Sequence, residues 1–322
     1  MSVSVRSRAV SLLRRLGFEP VARLALSAPR AVTRMVARFA ASARRISVAW
    51  PSEARRHLVQ RRAFYGYRKL VSRSPHLDLL AGERNDRGVA VIVCLWNRPD
   101  RIGDVLRILR SQQSLRPVRL VLWNNQPKDS LHYRRAISET SISGPLSSIE
   151  FFDSPINIGG IGRFVAAREL VSRGYSDAFI MMDDDQDFGP SFVSDLLAVS
   201  APHSVAGVWA WTNDGAYWNR KQLETTGGSA DHVGTGGSIC DSTIVGDPQF
   251  FLAIPPGYLF MEDMWMSRYA SHNGWPLTMV ESPFTFVLSE LDQGHALFDR
   301  KELFYSWMSQ PGHVPARPSA LG

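Results

Sequence analysis

Cysteine is nearly missing from this chain of 322 residues: Cys94 and Cys240 are the only two, each inside an apolar or glycine-rich segment. That excludes a disulfide-stapled scaffold and fits two buried, reduced thiols in a reducing compartment. Long hydrophobic runs are missing too. No window offers the roughly 20 uninterrupted apolar residues that a membrane-spanning helix requires. Acidic residues are scarce at one end. Residues 1–80 hold 17 Lys and Arg against Glu19, Glu53 and Asp78, whereas residues 81–322 hold 20 basic and 27 acidic residues. The net charge of +7 therefore belongs to the N-terminal arm. The mildly acidic remainder excludes a main domain built to bind nucleic acid.

What is present divides in three. Residues 1–80 read as a basic, amphipathic helical arm cut by Pro20, Pro29 and Pro51, with Val32, Met35, Val36 and Phe39 at helical spacing among arginines. Such an arm suits an anionic membrane surface, a protein partner or the acidic main domain, and its Arg- and Ser-rich composition also matches a transit peptide. A polar linker, Ala81–Gly88, leads to a main domain over 85–300, followed by a tail over 301–322.

In the main domain, apolar runs of buried-strand length alternate with helical periodicity. The runs at 89–96, 118–123, 149–152 and 178–182 read as strands, and 102–112 and 163–173 as helices. This alternation predicts an α/β fold, a mostly parallel, Rossmann-like sheet flanked by helices. Strand-like pieces at 205–211 and 249–254 flank a glycine-rich loop, Thr226–Ser238, read as either a long hairpin connection or a flap. Parallel sheets bind ligands beyond the carboxyl ends of their strands. Polar clusters stand at those ends: Trp96–Asn97–Arg98, Asn124–Asn125, Asn157–Gly160 and Asp183–Asp184–Asp185.

The acid triplet follows the strand AFIMM. Alternate residues of an extended segment share a face about 6.6 Å apart. Where the strand turns, Asp183 and Asp185 can reach one hard divalent cation, Mn2+ or Mg2+, shared with a substrate diphosphate. The glycines of Asn157–Phe164 (NIGGIGRF) let backbone approach a ligand closely just ahead of a helix N-terminus. Glu262–Asp263 opens a second helix, stopped by Gly274, where exposed N–H groups keep a carboxylate ionised as a general base requires.

Together VAVIVCLWNRPD, LVLWNN, NIGGIGRF, AFIMMDDD and the Glu262–Asp263 helix resemble family-2 glycosyltransferases of the GT-A fold, with the Asn-x-Gly-Gly-x-Gly-x-Phe pattern similar to the galactofuranosyl- and rhamnosyltransferase branches. The resemblance spans residues 89 to about 290. It implies an inverting, metal-dependent hexosyltransferase that moves a sugar from a nucleotide-diphosphate sugar, a UDP-sugar by preference, to a hydroxyl of a glycan or lipid-linked acceptor. Asp183 and Asp185 would bind metal. Asp263 would be the base, with Glu262 orienting it or the acceptor. Trp96, Asn97, Arg98, Asn124, Asn125, Asn157, Gly159, Gly160, Arg163, Asp183 and Asp184 would face the donor.

The chain departs from the family pattern in two places. Asn124 stands where an Asp often recognises the base, and Val287 where many relatives carry a metal-binding His, which leaves His295, and more remotely His272, as the third ligand. Trp209, Trp211, Tyr217 and Trp218 are candidates for a sugar platform, with core packing the plainer role for the first two. With the basic arm, these features suggest a cytoplasmic protein peripheral to the inner face of the cell membrane and working on a cell-envelope glycan. The alternatives are a nucleotidyltransferase, which leaves Glu262–Asp263 without a role, and a non-catalytic, membrane-associated adaptor of a glycan synthase.

Overall fold

The computed structural model describes residues 58–287 and 297–316, and of residues 298 and 299 the backbone alone. Most of the N-terminal arm, His295 and the extreme C-terminus fall outside those residues. The chain divides into two compact units, Met1–Arg61 and Arg62–Gly322, and the sheet with its flanking helices belongs to the second. No helix among the described residues is long and apolar enough to cross a membrane.

The strands are β1 Asp78–Gly82, β2 Val89–Leu95, β3 Val118–Asn124, β4 Leu146–Asp153, β5 Phe179–Met182, β6 Gln186–Phe188, β7 Val205–Gly207, β8 Ala210–Asn213, β9 Arg220–Gln222, β10 His232–Val233, β11 Ser238–Cys240, β12 Leu277–Met279 and β13 Phe284–Phe286. Eight of them form one sheet in the order β1-β4-β3-β2-β5-β11-β7-β12. Its centre, β4-β3-β2-β5, is parallel, as β2, β3 and β5 are apolar on both faces; β1 and β11 run antiparallel to their neighbours. A small three-stranded sheet, β10-β8-β9, and the pair β13-β6 complete the strand structure.

The helices are α1 (through residues 62–72), α2 Ile102–Arg110, α3 Ser130–Ser138, α4 Gly162–Ser172, α5 Phe192–Ala198, α6 Thr243–Gly246, α7 Pro248–Leu252, α8 Glu262–His272 and α9 Phe298–Met308. The twofold period of the strands divides the core. Val91, Val93, Leu120, Leu122, Ile180 and Met182 face α2 and α3, while Ala90, Ile92, Val121, Trp123, Phe179 and Met181 face α4, α7 and α8. The second layer is rich in aromatics, with Phe164, Phe250, Trp265 and Tyr269 all fully buried. Each such ring contributes about 2–3 kcal/mol through apolar burial.

Three expectations change. Residues 62–80, read as the end of the arm, belong to the packed unit: β1 pairs with β4, and the Tyr67 hydroxyl donates to the Phe251 carbonyl at 2.7 Å. The apolar run at 249–254 is helical at its start rather than a strand. Pro248 occupies the first turn of α7 and the Asp247 side chain accepts the Gln249 N–H at 2.9 Å, a capped start that outweighs the run's apolar character. The glycine-rich loop is not a flap over its second half, where residues 232–240 are all buried.

Candidate active site

Chain order places β3 and β4 on one side of β2 and β5 on the other, so the direction of winding switches between β2 and β5. A crevice opens at such a switch point, beyond the carboxyl ends of the two strands. The turn Trp96–Arg98 and the triplet Asp183–Asp185 stand there.

Strand alternation continues into the triplet. Asp183 follows Phe179 and Met181 onto the α4 face, and Asp184 follows Ile180 and Met182 onto the α2 face. Each meets its own arginine. Arg163, on the first turn of α4 and only 4% exposed, donates to Asp183 Oδ1 at 2.7 Å. Arg98 donates to Asp184 Oδ1 at 2.8 Å and lies 3.2 Å from Asp185 Oδ2. Arg101 ties the Asp184 carbonyl at 2.8 Å and reaches Asp187. Burial pushes the Asp184 carboxyl up to about 7 despite the pull of Arg98. Burial, then the like charge of Asp183, also raises Asp185.

Three oxygens of the triplet remain. Asp184 Oδ2 and Asp185 Oδ1 are buried acceptors with no hydrogen-bond partner among the described residues. Asp183 Oδ2 lies against Gly236, where an added Cβ would come within 2.5 Å of it. An orphaned acceptor and a second carboxylate oxygen on one turn fit a divalent ion. Among the described residues no three His, Cys, Asp or Glu side chains gather around one metal position. His295 lies outside them, and His272 is exposed at the far end of α8, about 15 Å along the axis from Glu262. His272 is therefore removed as a ligand.

The Asn-x-Gly-Gly loop is held by side chains expected to face the donor. Asn125 Oδ1 accepts from Trp123 Nε1 and from the Ile158 N–H, both at 3.2 Å, and its Nδ2 donates to the Gly159 carbonyl at 3.1 Å. Asn124 donates to Asp153 at 2.8 Å and accepts the Gln126 N–H, while Asn157 accepts the Gly159 N–H at 2.8 Å. Both asparagines of β3's end are buried; the amide of Asn125 bolts the loop to the sheet, and that of Asn124 ties β3 to β4. Asn97, at the end of β2, is exposed and has φ 60.

The loop in turn admits α8. A Cβ on Gly160 would fall 1.7 Å from Glu262 Oε1, so only glycine lets that carboxylate lie on the backbone. Thr235, in the buried half of the glycine-rich segment, donates to Glu262 Oε1 at 3.4 Å. Burial pushes Glu262 up to about 7; Arg163 opposes that, while Asp263 and Asp183 add to it. For Arg163, burial is outweighed by Asp183, Cys94 and Glu262, which hold its pKa above the ordinary value. The second acid pair thus lies within electrostatic reach of the first, through Glu262 and Arg163. Beneath them burial pushes the Cys94 thiol up to about 11, consistent with a structural, protonated cysteine.

Asp263 turns toward other groups. Its Oδ2 is 3.3 Å from Nε2 of His232, a buried residue of β10, and its side chain is 24% exposed. Burial would raise its pKa, but His232 and Lys301 overcome that and hold the carboxyl well below the usual carboxylate range. His232 stacks on Trp211 with ring centroids 5.2 Å apart, and Tyr217 meets it edge-on. Neither His232 nor Lys301 stands out in the sequence, because only the fold brings β10 and α9 beside the start of α8. Trp209 and Trp211 stack on each other, partly buried, and Tyr217 is fully buried; Trp218 alone of the four aromatics is exposed, at 40%.

No protein-family model and no curated protein matches the chain. Among solved structures it is similar to a mannosyltransferase, PcManGT from Pyrobaculum calidifontis in complex with GDP-Man and Mn2+, at a TM-score of 0.43 and 9% identity over 72% of this chain and 67% of that one. It is also similar to the WbbM bifunctional glycosyltransferase in its apo form, at a TM-score of 0.40 and 14% identity over 58% of this chain, which spans 38% of that much longer protein.

Proposed function

We propose that the protein is an inverting, metal-dependent glycosyltransferase of the GT-A type, transferring a hexose from a nucleotide-diphosphate sugar, UDP-linked by preference, to a hydroxyl of a glycan or lipid-linked acceptor. One observation supports the reading: Glu262, at the head of α8, lies on the Gly160 backbone within the field of Arg163 and Asp183, so the start of α8 approaches the acids of β5 through Glu262.

Asp183 and Asp185 would hold Mn2+ or Mg2+ together with diphosphate oxygens. Bound there, the ion would neutralise the charge that develops on the departing diphosphate. Arg98 and Arg163 fix those carboxylates and add positive potential beside the leaving group. The acceptor approaches over α8. Its hydroxyl oxygen forms a bond to the anomeric carbon while the bond to the diphosphate oxygen breaks on the opposite face, and Asp263 takes the hydroxyl proton. Held ionised by His232 and Lys301, Asp263 is a weak base toward a free alcohol. It becomes competent once the attacking oxygen carries positive charge, so proton transfer comes late.

The test is a thermal-shift screen of UDP- and GDP-sugars with and without Mn2+. A ligand that binds the native state raises the melting temperature. The expected outcome is a shift for at least one nucleotide sugar that requires the metal; no metal-dependent shift with any donor removes the proposal. Association of the basic arm with the inner face of the membrane belongs to the same reading, and salt-sensitive binding to anionic vesicles is its check.

A further inference from the structure

Beside Asp263 stands a second cluster, of which the mechanism above uses only the charge of Lys301. Arg220, on β9, lays its guanidinium over three rings: Trp211 at 4.4 Å, Tyr217 at 4.5 Å and Trp218 at 5.6 Å from the centroids. Among the described residues its one side-chain hydrogen bond is to the neutral Tyr217 hydroxyl at 2.7 Å. Lys301, on α9, places its ammonium 5.6 Å from the centroid of the same Tyr217 ring. Among the described residues neither cation has a carboxylate within salt-bridge distance. Asp263 acts on Lys301 from farther away, and Glu302 is engaged with the Tyr217 N–H at 3.0 Å.

The geometry is selective. A guanidinium packed against aromatic rings keeps its in-plane N–H groups for polar partners, and with Nη1 of Arg220 donating to Tyr217, its Nε and Nη2 hydrogens form the edge that forks onto a carboxylate or phosphate. The exposed Trp218 supplies a flat apolar surface, suited to a sugar ring, next to that edge. Two cations on one ring repel each other, and the repulsion is relieved by an anion between them. We infer that Trp218, Arg220 and Lys301 form the acceptor subsite, and that it takes a sugar bearing an anionic group, a carboxylate or a phosphate, with the reacting hydroxyl toward Asp263. This rests on the transferase reading above, and it adds the charge of the acceptor.

The experiment is calorimetric titration at low salt, with UDP or GDP and Mn2+ present, of three probes: methyl β-D-glucuronide, glucose 6-phosphate and the neutral methyl β-D-glucoside. At least one anionic probe is expected to bind roughly tenfold to a hundredfold tighter than the neutral one, the worth of a charge-assisted fork. The tighter of the two anionic arms identifies carboxylate or phosphate. Arg220→Gln is expected to erase the preference and Lys301→Gln to reduce it, whereas Trp218→Ala weakens all three probes alike. Lys301→Gln leaves the stacked rings alone, so it still reports if Arg220→Gln fails to fold. Equal affinity for charged and neutral probes, or a preference that survives both charge substitutions, overturns the inference. Nucleoside diphosphate binding with Mn2+ is measured in the same samples: its absence in the wild type defeats the transferase reading, and its presence without an anion preference defeats only this one.

Discussion

The two acid clusters are built in opposite ways. At the end of β5, three consecutive carboxylates are fixed by one strand and meet arginines from the turn after the neighbouring strand β2 and from the preceding helix α4, Arg98 and Arg163. At the head of α8, two consecutive carboxylates are driven apart in character. Glu262 is buried and pushed up to about 7, while Asp263 is partly exposed and held far below the ordinary range by a histidine from β10 and a lysine from α9. The first cluster is a fixed, compensated anion site suited to a cation and a diphosphate. The second sets a carboxyl that favours its proton next to one that stays ionised. Pairs whose environments separate them in this way divide acid and base roles between them.

The comparison breaks most sharply at Asp263. Asp263→Asn keeps the shape and removes the proposed proton acceptor, so transfer should fall by about a thousandfold, while metal-dependent nucleotide binding, read by calorimetry, stays near wild type. Near-normal turnover would move the base elsewhere, with Glu262 next in line.

Glu262 should show the opposite behaviour in stability. Burial raises its carboxyl to about 7 in the folded chain, above the ordinary 4.5, so the native state holds this proton more tightly than the unfolded state. Its contribution is fully present below pH 4.5 and is lost as pH rises through 7. Glu262→Gln, uncharged at every pH, should therefore melt several degrees higher than wild type at pH 8, and most of that gain should vanish at pH 5. A pH-independent difference would mean the carboxylate is comfortably solvated. At the other cluster, Asp185→Ala should weaken nucleoside diphosphate binding about tenfold with Mn2+ and leave metal-free binding unchanged, as titrations with and without the ion would report.

The same contrast governs what the sequence reveals. The β5 cluster is local: AFIMM alternates, the acids follow, and strand periodicity alone assigns Asp183 and Asp184 to opposite faces. The parallel centre of the sheet is legible for the same reason, since β2, β3 and β5 are apolar on both sides. The α8 cluster is not local. Nothing around His232 or Lys301 marks them, because their partner Asp263 lies 31 and 38 residues away and only the packing of three elements joins them. Side chains with two uses mislead as well. Asn125 follows a strand, where ligand contacts cluster, yet its hydrogen bonds go to Trp123, Ile158 and Gly159. Residues 249–254 mislead because a capped proline start decides the first turn of α7, and hydrophobicity does not register it.

Asn97 offers the finest division between holding a site and touching its ligand. It sits between β2 and the helical turn that carries Arg98 and Arg101 toward the triplet, and its backbone is left-handed, with φ 60. Asparagine tolerates that conformation better than most residues, whereas a Cβ without a compensating polar group costs about 1 kcal/mol. Asn97→Ala should lower stability by about that amount, and Asn97→Gly should restore it. Donor affinity separates the two roles. If the side chain only permits the turn, Asn97→Gly binds nucleotide sugar as wild type does, because Arg98 still reaches Asp184 and Asp185. If the amide itself contacts the donor, both variants lose affinity equally, and Asn97 joins the ligand-facing residues that the sequence places at the end of β2.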